Sequence, residues 1–549
     1  MRLTSRWVGM GAMAMMAALA AGAQSLPRAQ QTAIDAVFQD FNTRTPGCVV
    51  GISEHGRQVF ARGYGMASLE SATPLTPASV LEIGSVSKQI TAASIFLLQQ
   101  EGKLSLDDPA QRYLPGMPVY AHPLTIRELL HHTSGVRDVI QLMQMSGIRT
   151  NDFATMPDAL ALIERQRALN FPPNTRYLYS NSGYVLLAEI VRRVSGEPLS
   201  TFAAQHIFQP LGMRHSQIVL DHRLVIPGRT RTYAPAPGSG WRLEVSPWQQ
   251  IGDGGVNTTV GDLELWAANF WRPRVGGARL IQQLETQGVL NDGRTIAYAG
   301  GLEVDQYRGL QRIAHGGSWQ GFRTQFTLFP KPQVAIITLC NVASADPALR
   351  SRKVADVILG DQLAPEPVPA ATPTLSVAQL RAYAGWYWSA ADYDLRQVSV
   401  DGAALRLRQW PGPSVRLQPL GQGKFRAAGD TLVFQPLARG MQLRLEATGE
   451  LLTRQPAASG NAAGTHALVG RYQSPALQVS WTVAQDSKGL LLRAFGANPN
   501  RLDTDHSYPV RPAIAGVFIA GPYLLQFDGA SLKVSAGRAE GIRFRRVTQ

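Results

Sequence analysis

Cysteine and lysine are the scarce reactive side chains here: two cysteines and seven lysines in 549 residues. Cys48 and Cys340 cannot make a zinc site by themselves, and on sequence alone a disulfide and a pair of buried thiols stand equally open. H-E-x-x-H is missing, and the adjacent His131 and His132 point apart rather than chelate, so no metal is expected. No P-loop or dinucleotide fingerprint occurs, and no cofactor is expected. The G-x-S-x-G elbow is absent too, because Gly316-Gly317-Ser318-Trp319-Gln320 lacks the last glycine. Beyond residue 23, no stretch approaches the ~18 apolar residues of a membrane helix, which excludes an integral membrane segment of that kind. Basic clusters are also few. The formal charge of +14 is mostly scattered arginine, and its densest run, Arg543-Phe544-Arg545-Arg546, alternates like a strand. Nucleic acid is therefore not an expected partner, whereas weak attraction to anionic envelope polymers is compatible with the charge.

One apolar run does open the chain. M-R-L-T-S-R is a basic start, W-V-G-M-G-A-M-A-M-M-A-A-L-A is apolar, and Ala21-Gly22-Ala23 is an A-x-A cleavage pattern. Residues 1–23 thus read as a signal peptide, with no cysteine after them to carry a lipid, and the expected location is the periplasm or outside the cell.

The length predicts about three domains. A Pro-rich linker, L-A-P-E-P-V-P-A-A-T-P-T over 363–374, divides two unlike halves. In 24–362, strand and helix patterns alternate. C-V-V-G-I-S-E-H-G-R-Q-V-F-A-R-G-Y-G reads as a hairpin, and T-A-A-S-I-F-L-L-Q-Q-E-G-K as a buried helix stopped by Gly102. Y-V-L-L-A-E-I-V-R-R-V-S-G is another helix with a glycine stop. Strands are expected around 311–315, 321–330 and 333–341, followed by a helix over 353–359. After the linker nearly everything reads as strand. Y-A-G-W-Y-W-S-A opens 375–455, and L-V-G-R-Y-Q-S-P opens 466–549, with a second linker over 456–465 between them. Two similar antiparallel β modules, barrel-like or sandwich-like, are expected.

Three segments carry the chemistry. E-I-G-S-V-S-K-Q starts a helix near Ser85, and residues at i and i+3 share a face, so Ser85 and Lys88 can meet. First-turn amides favour negative charge developing at Ser85, and the apolar helix that follows desolvates Lys88 and makes it a base. A capping Ser85 or Ser87 with Lys88 reaching solvent explains this segment equally well. Y-L-Y-S-N-S-G then places Tyr179, Ser180 and Asn181 on a loop before a helix; a phenol acts as a base only beside a cation such as Lys88. Finally, R-I-A-H-G-G-S-W brings His315, Gly316 and Gly317 to a strand end where backbone approaches a ligand closely. There the Ser318 N–H can join the Ser85 N–H in an oxyanion hole.

The order S-x-x-K, Y-x-N, H-x-G resembles the serine hydrolases related to class C β-lactamases and penicillin-binding DD-peptidases. L-L-H-H-T-S-G-V-R-D (129–138) and I-G-D-G-G-V-N-T-T-V-G-D-L (251–263) look like that family's turn and Gly-rich loop. The resemblance covers roughly 30–362. It implies a mixed α/β domain in which an antiparallel sheet lies beside a helical region, with the site between them. It also implies that the first and last strands are neighbours, which would put Cys48 beside Cys340. The whole chain is most similar to the D-aminopeptidases, which share S-V-S-K-Q, a histidine in the third motif and two C-terminal β-barrel domains. Carried over by motif, Ser85 is the nucleophile, Lys88 and Tyr179 move protons, Asn181, His315 and Gly317 position substrate, and the Ser85 and Ser318 amides bind the oxyanion. The D-aminopeptidases are cytoplasmic, unlike the location expected from this chain's leader.

The β-lactamases and DD-peptidases of that family carry Lys-Thr/Ser-Gly in the third motif, which grips a substrate carboxylate. A neutral His315 followed by Gly316 weakens that grip unless Arg323 or Arg350 replaces it. The resemblance also implies that a loop of the last domain, here 495–512, enters the site, with Asp503 or Asp505 facing a substrate ammonium. The expected activity is acyl-enzyme hydrolysis of small peptides, amides or esters, D-aminopeptidase-like. The alternatives are a DD-carboxypeptidase or β-lactamase, and a catalytically inactive envelope-ligand-binding protein. A homodimer is left open.

Overall fold

The computed structural model describes residues 25–366, 373–427, 430–458, 467–494 and 506–547. The segment read as a signal peptide lies outside them, as do parts of both linkers.

The catalytic half is built on a six-stranded antiparallel sheet. Its strands are β1 (Cys48–Glu54), β2 (Arg57–Tyr64), β3 (Glu303–Tyr307), β4 (Leu310–Trp319), β5 (Phe322–Phe329) and β6 (Val334–Cys340). They lie in the order β3-β4-β5-β6-β1-β2, so the first strand pairs with the last. Alternate residues point to opposite faces. On β6, Ala335, Ile337 and Leu339 enter the core shared with the helical region, while Val334, Ile336 and Cys340 face the other side. There α1 (Arg28–Val37) and the C-terminal helix Pro347–Leu359 cover the sheet with Ile34, Val354 and Leu359. Cys48 and Cys340 are partners in the β1–β6 register and are joined as a disulfide.

Two expected elements extend further than the pattern shows. The strand expected to stop near His315 runs on to Trp319, because β5 pairs with it residue by residue through Gly316 and Gly317. The helix expected over 353–359 begins at Pro347, since the Asp346 side chain caps it by accepting from Leu349 N at 2.9 Å, and proline at the first helical position fits that start.

The second half holds two β units. Eight antiparallel strands from Gly385–Ser389 to Leu451–Gln455 form a closed barrel. Nine strands then form one antiparallel sheet whose end strands, His506–Pro509 and Arg511–Ile514, are adjacent in the chain, so the sheet curls almost shut. This last unit docks on the helix Val139–Met145, whose Leu142 and Met145 join a core with Tyr472, Trp481 and Phe544. Arg176 ties all three parts together, pairing at 2.7 Å with Asp392 of the barrel and at 2.7 Å with Glu540 of the last unit.

The Cys48–Cys340 link spans a sequence separation of 292 and constrains the unfolded chain strongly. Reducing it is expected to lower stability of the catalytic half by about 2–4 kcal/mol, read as a lower urea midpoint. An unchanged midpoint would show that the link adds nothing.

Candidate active site

Gly84 makes the turn that presents Ser85. Its φ is +51°, and a Cβ there would lie 2.9 Å from Ser318 N, so only glycine lets this turn press against β4. Gly317 serves the same approach from the strand side, because a Cβ on it would sit 2.0 Å from the Ile83 carbonyl oxygen. Residues Gly84–Ser87 form one 3-10 turn that leads into the helix α2, Lys88–Gln100. The capping alternative fails for Ser87, whose hydroxyl instead accepts from Val256 N at 3.2 Å. Ser85 stays partly exposed, and its Oγ accepts from Lys88 Nζ at 3.1 Å.

Lys88 does not reach solvent. It is fully buried, and its Nζ also donates to Asn181 Oδ1 at 2.9 Å and to the Asp253 carbonyl at 2.8 Å. Burial pushes its pKa down to about 7, and the positive charge of Arg538 adds to that; Asp253 and Asp138 pull it back up. Near neutrality, then, a neutral Nζ lone pair can accept the Ser85 proton.

Tyr179 precedes the helix Asn181–Ser195, where sequence placed it, and Lys88 Nζ lies 4.8 Å from its ring centroid. Its hydroxyl is buried without a protein hydrogen bond. Burial holds the phenol well above its ordinary pKa, against the pull of the Arg538 charge. It therefore carries its proton at rest and can deliver it to a leaving group. Asn181 is fixed by Asp138, whose Oδ2 accepts from Asn181 N at 2.7 Å and Nδ2 at 3.0 Å. His132 supports the same loop, accepting from Ser180 N at 3.1 Å and lying 4.2 Å from Tyr179, ring to ring.

The β4–β5 hairpin aims Ser318. Trp319 and Phe322 close the two-residue turn as a hydrogen-bonded pair, so Ser318 and Arg323 form the next, unbonded pair. The Ser318 N–H thus points away from β5, on the side where β3 has already ended and Gly84 packs. The Ser85 N–H lies in a first turn without an intrahelical acceptor. Together these two amides are suited to receive a carbonyl oxygen.

His315 is buried, with Nδ1 2.7 Å from the Gly316 carbonyl and Nε2 3.0 Å from the Tyr298 hydroxyl. The bonding assigns the proton to Nδ1 and leaves Nε2 to accept. Burial and the nearby Lys88 charge hold its pKa down at about 3, so it is neutral. Both nitrogens are already engaged, and direct bonding to a substrate would require Tyr298 or Gly316 to release one. The two arginines named above as a replacement for a cation here both have other partners. Arg350 pairs with Asp40 at 2.6 Å, and Arg323 donates to the carbonyls of Gln320 and Phe322. Asp503 and Asp505 lie outside the described residues.

Ser85, Asn181 and Ser318 open onto a cleft of about 630 Å³, solvent space included, whose wall also holds Trp248, Trp319, Glu82 and Asp253. Glu82 is raised to about 7 by burial and has Arg229 at 3.7 Å. Past Trp319 the cleft meets a larger groove walled by Trp481 and Tyr523 of the last unit. In the sequence, Asp138, His132 and Asp253 stand inside motif-like stretches with nothing local to mark their roles at the site. Asp138 was findable as a helix cap, since its side chain accepts from Ile140 N and Gln141 N.

Residues 34–359 match the family described as Beta-lactamase, more than half the chain, and the chain belongs to that family of serine hydrolases. A D-aminopeptidase of Cereibacter sphaeroides is 28% identical over 493 residues, spanning 88% of this chain and 89% of the relative. A D-aminopeptidase of Brucella anthropi is 23% identical over 537 residues, 92% and 96% of the two chains. Among solved structures, the octameric penicillin-binding protein homologue from Pyrococcus abyssi superposes with TM-score 0.55 at 23% identity, over 78% of this chain and 99% of that one. The D-amino acid amidase from Ochrobactrum anthropi SV3 gives TM-score 0.53 at 22% identity, over 60% and 99%. Both structural likenesses concern the fold.

If Lys88 is the base for Ser85, phosphonylation by a fluorophosphonate should rise with pH and level off above about 7, where Lys88 is neutral. Lys88→Met should slow it by about 10²–10⁴-fold. A rate that is flat across roughly pH 5 to 9, or an unaffected variant, would remove Lys88 from that role.

Proposed function

We propose that the protein is an exported amide hydrolase that releases N-terminal D-amino acids from small peptides and amides through an acyl-enzyme on Ser85. Ser85 Oγ attacks the carbonyl carbon while its proton passes to Lys88 Nζ, and the oxyanion is held by the Ser85 and Ser318 N–H groups. The proton passes through Tyr179 to the departing amine as the C–N bond breaks. Water then attacks the ester, Lys88 takes its proton, and Ser85 recovers its hydroxyl as the acid leaves.

The observation that carries the substrate reading is the neutral, fully bonded His315. The one cation of that strand, Arg312, pairs with Asp305, and none stands at His315 to grip the free carboxylate that carboxypeptidase and penicillin-type substrates present. Glu82 and Asp253 also line the cleft, and although burial raises both carboxyls, Glu82 to about 7, an ionised Glu82 above that pH would favour a substrate with a cationic end. The likeness to D-aminopeptidases over nearly the whole chain supports the same reading. Export is proposed from the leader pattern, and the Cys48–Cys340 disulfide suits an oxidising compartment.

D-alanine p-nitroanilide should be cleaved, L-alanine p-nitroanilide should be a poor substrate, and Ser85→Ala should lower kcat/KM by about 10⁴-fold or more. A chromogenic cephalosporin should turn over slowly or not at all. Fast cephalosporin hydrolysis without anilide cleavage would replace this reading with a β-lactamase. Equal rates for wild type and Ser85→Ala would remove the nucleophile.

A further inference from the structure

Arg538 sits at the tip of the hairpin formed by strands Ser531–Ala536 and Ala539–Val547, in the last β unit, far along the chain from Ser85. The tip reaches the rear of the catalytic centre. Arg538's carbonyl accepts from Asp138 N at 3.1 Å and from Asn170 Nδ2 at 2.9 Å. Its Nε donates to Gln141 Oε1 at 3.2 Å, Nη2 lies 3.3 Å from Asp138 Oδ2, and the guanidinium carbon is 5.3 Å from the Tyr179 ring centroid. The hairpin is held in place by Glu540 N donating to Asn170 Oδ1 at 2.8 Å and by Arg137 Nε donating to the Glu540 carbonyl at 3.0 Å.

These contacts continue without a break to the nucleophile. Asp138 Oδ2 accepts from Asn181, Asn181 Oδ1 accepts from Lys88 Nζ, and Lys88 Nζ donates to Ser85 Oγ. Asp138 needs no arginine to be satisfied, because four N–H donors, those of Ile140, Gln141 and Asn181 (two), already reach it. What Arg538 adds is a cation. Over the Tyr179 ring it favours phenolate over phenol, and near Lys88 it favours amine over ammonium. Asp138 and Asp253 face Lys88 with the opposite sign, while the buried His132 and His315 are held neutral and Tyr177 and Tyr298 keep their protons.

We propose that Arg538 is a positioning residue of the catalytic centre, through which the last β unit holds the Asp138–Asn181 pair and biases the Ser85–Lys88–Tyr179 proton relay. The last unit is then part of the catalytic assembly rather than an appended module. The inference rests on reading those three residues as the relay, but not on the identity of the amide that is cleaved.

The test uses the full chain and two readouts: phosphonylation of Ser85 by a fluorophosphonate and hydrolysis of D-alanine p-nitroanilide, across roughly pH 5 to 10. Arg538→Gln should react about tenfold more slowly at pH 7, with the rising limb displaced upward by about one unit. Arg538→Lys should keep the limb near its wild-type position, and millimolar guanidinium should restore rate to Arg538→Ala. The proposal is overturned if Arg538→Gln keeps the wild-type rate and limb. It is overturned equally if all variants lose rate at every pH without moving the limb, since that is the signature of packing alone. Wild type inert toward the anilide but reactive toward the phosphonate would sink the aminopeptidase reading and leave the Arg538 test intact.

Discussion

The structure turns on an ammonium group with no access to water. Burying a lysine is costly unless every donor is bonded, and Lys88 Nζ has three acceptors: Ser85 Oγ, Asn181 Oδ1 and the Asp253 carbonyl. Each comes from a different part of the chain. Ser85 belongs to the turn that Gly84 makes, Asn181 to the start of a helix that Asp138 holds, and Asp253 to the loop ahead of Val256–Thr258. To satisfy Lys88 is therefore to assemble the site. The same burial brings the amine into the range where it can exchange a proton with a serine hydroxyl near neutral pH.

The β units are tied to that centre instead of hanging from it. Arg176 bridges both to the loop before Tyr179, and Leu142 and Met145 enter the core of the last one. The cleft at Ser85 shares Ile140, Ser318 and Trp319 with the groove below the last unit. Trp481 and Tyr523 of the last unit wall that groove beyond Trp319.

Much of this was legible in the sequence, for physical reasons that differ from element to element. Lys88 was readable as desolvated because the helix after it is apolar on every side, and ten residues of Lys88–Gln100 are buried. The strand pairing of Cys48 with Cys340 came from family resemblance alone, since no local pattern reports which strands are neighbours across 292 residues. The extension of β4 past His315 was hidden because glycine pairs weaken a strand pattern, yet here they let β4 approach Ile83. Asp138 carries a capping signal ahead of Val139–Met145 but no local sign of its bond to Asn181. Arg538 left none. An arginine in a hairpin turn looks like any solvated turn residue, and only the docking of the last unit carries it to Tyr179.

The central claim is that burial brings the Lys88 amine down to a pKa of about 7. A ¹³C NMR titration of protein labelled at lysine Cε tests it directly. The account predicts a resonance titrating near 7 that is absent from Lys88→Met. If the resonance lost in Lys88→Met instead titrates near the ordinary lysine value of about 10.4, the claim is contradicted.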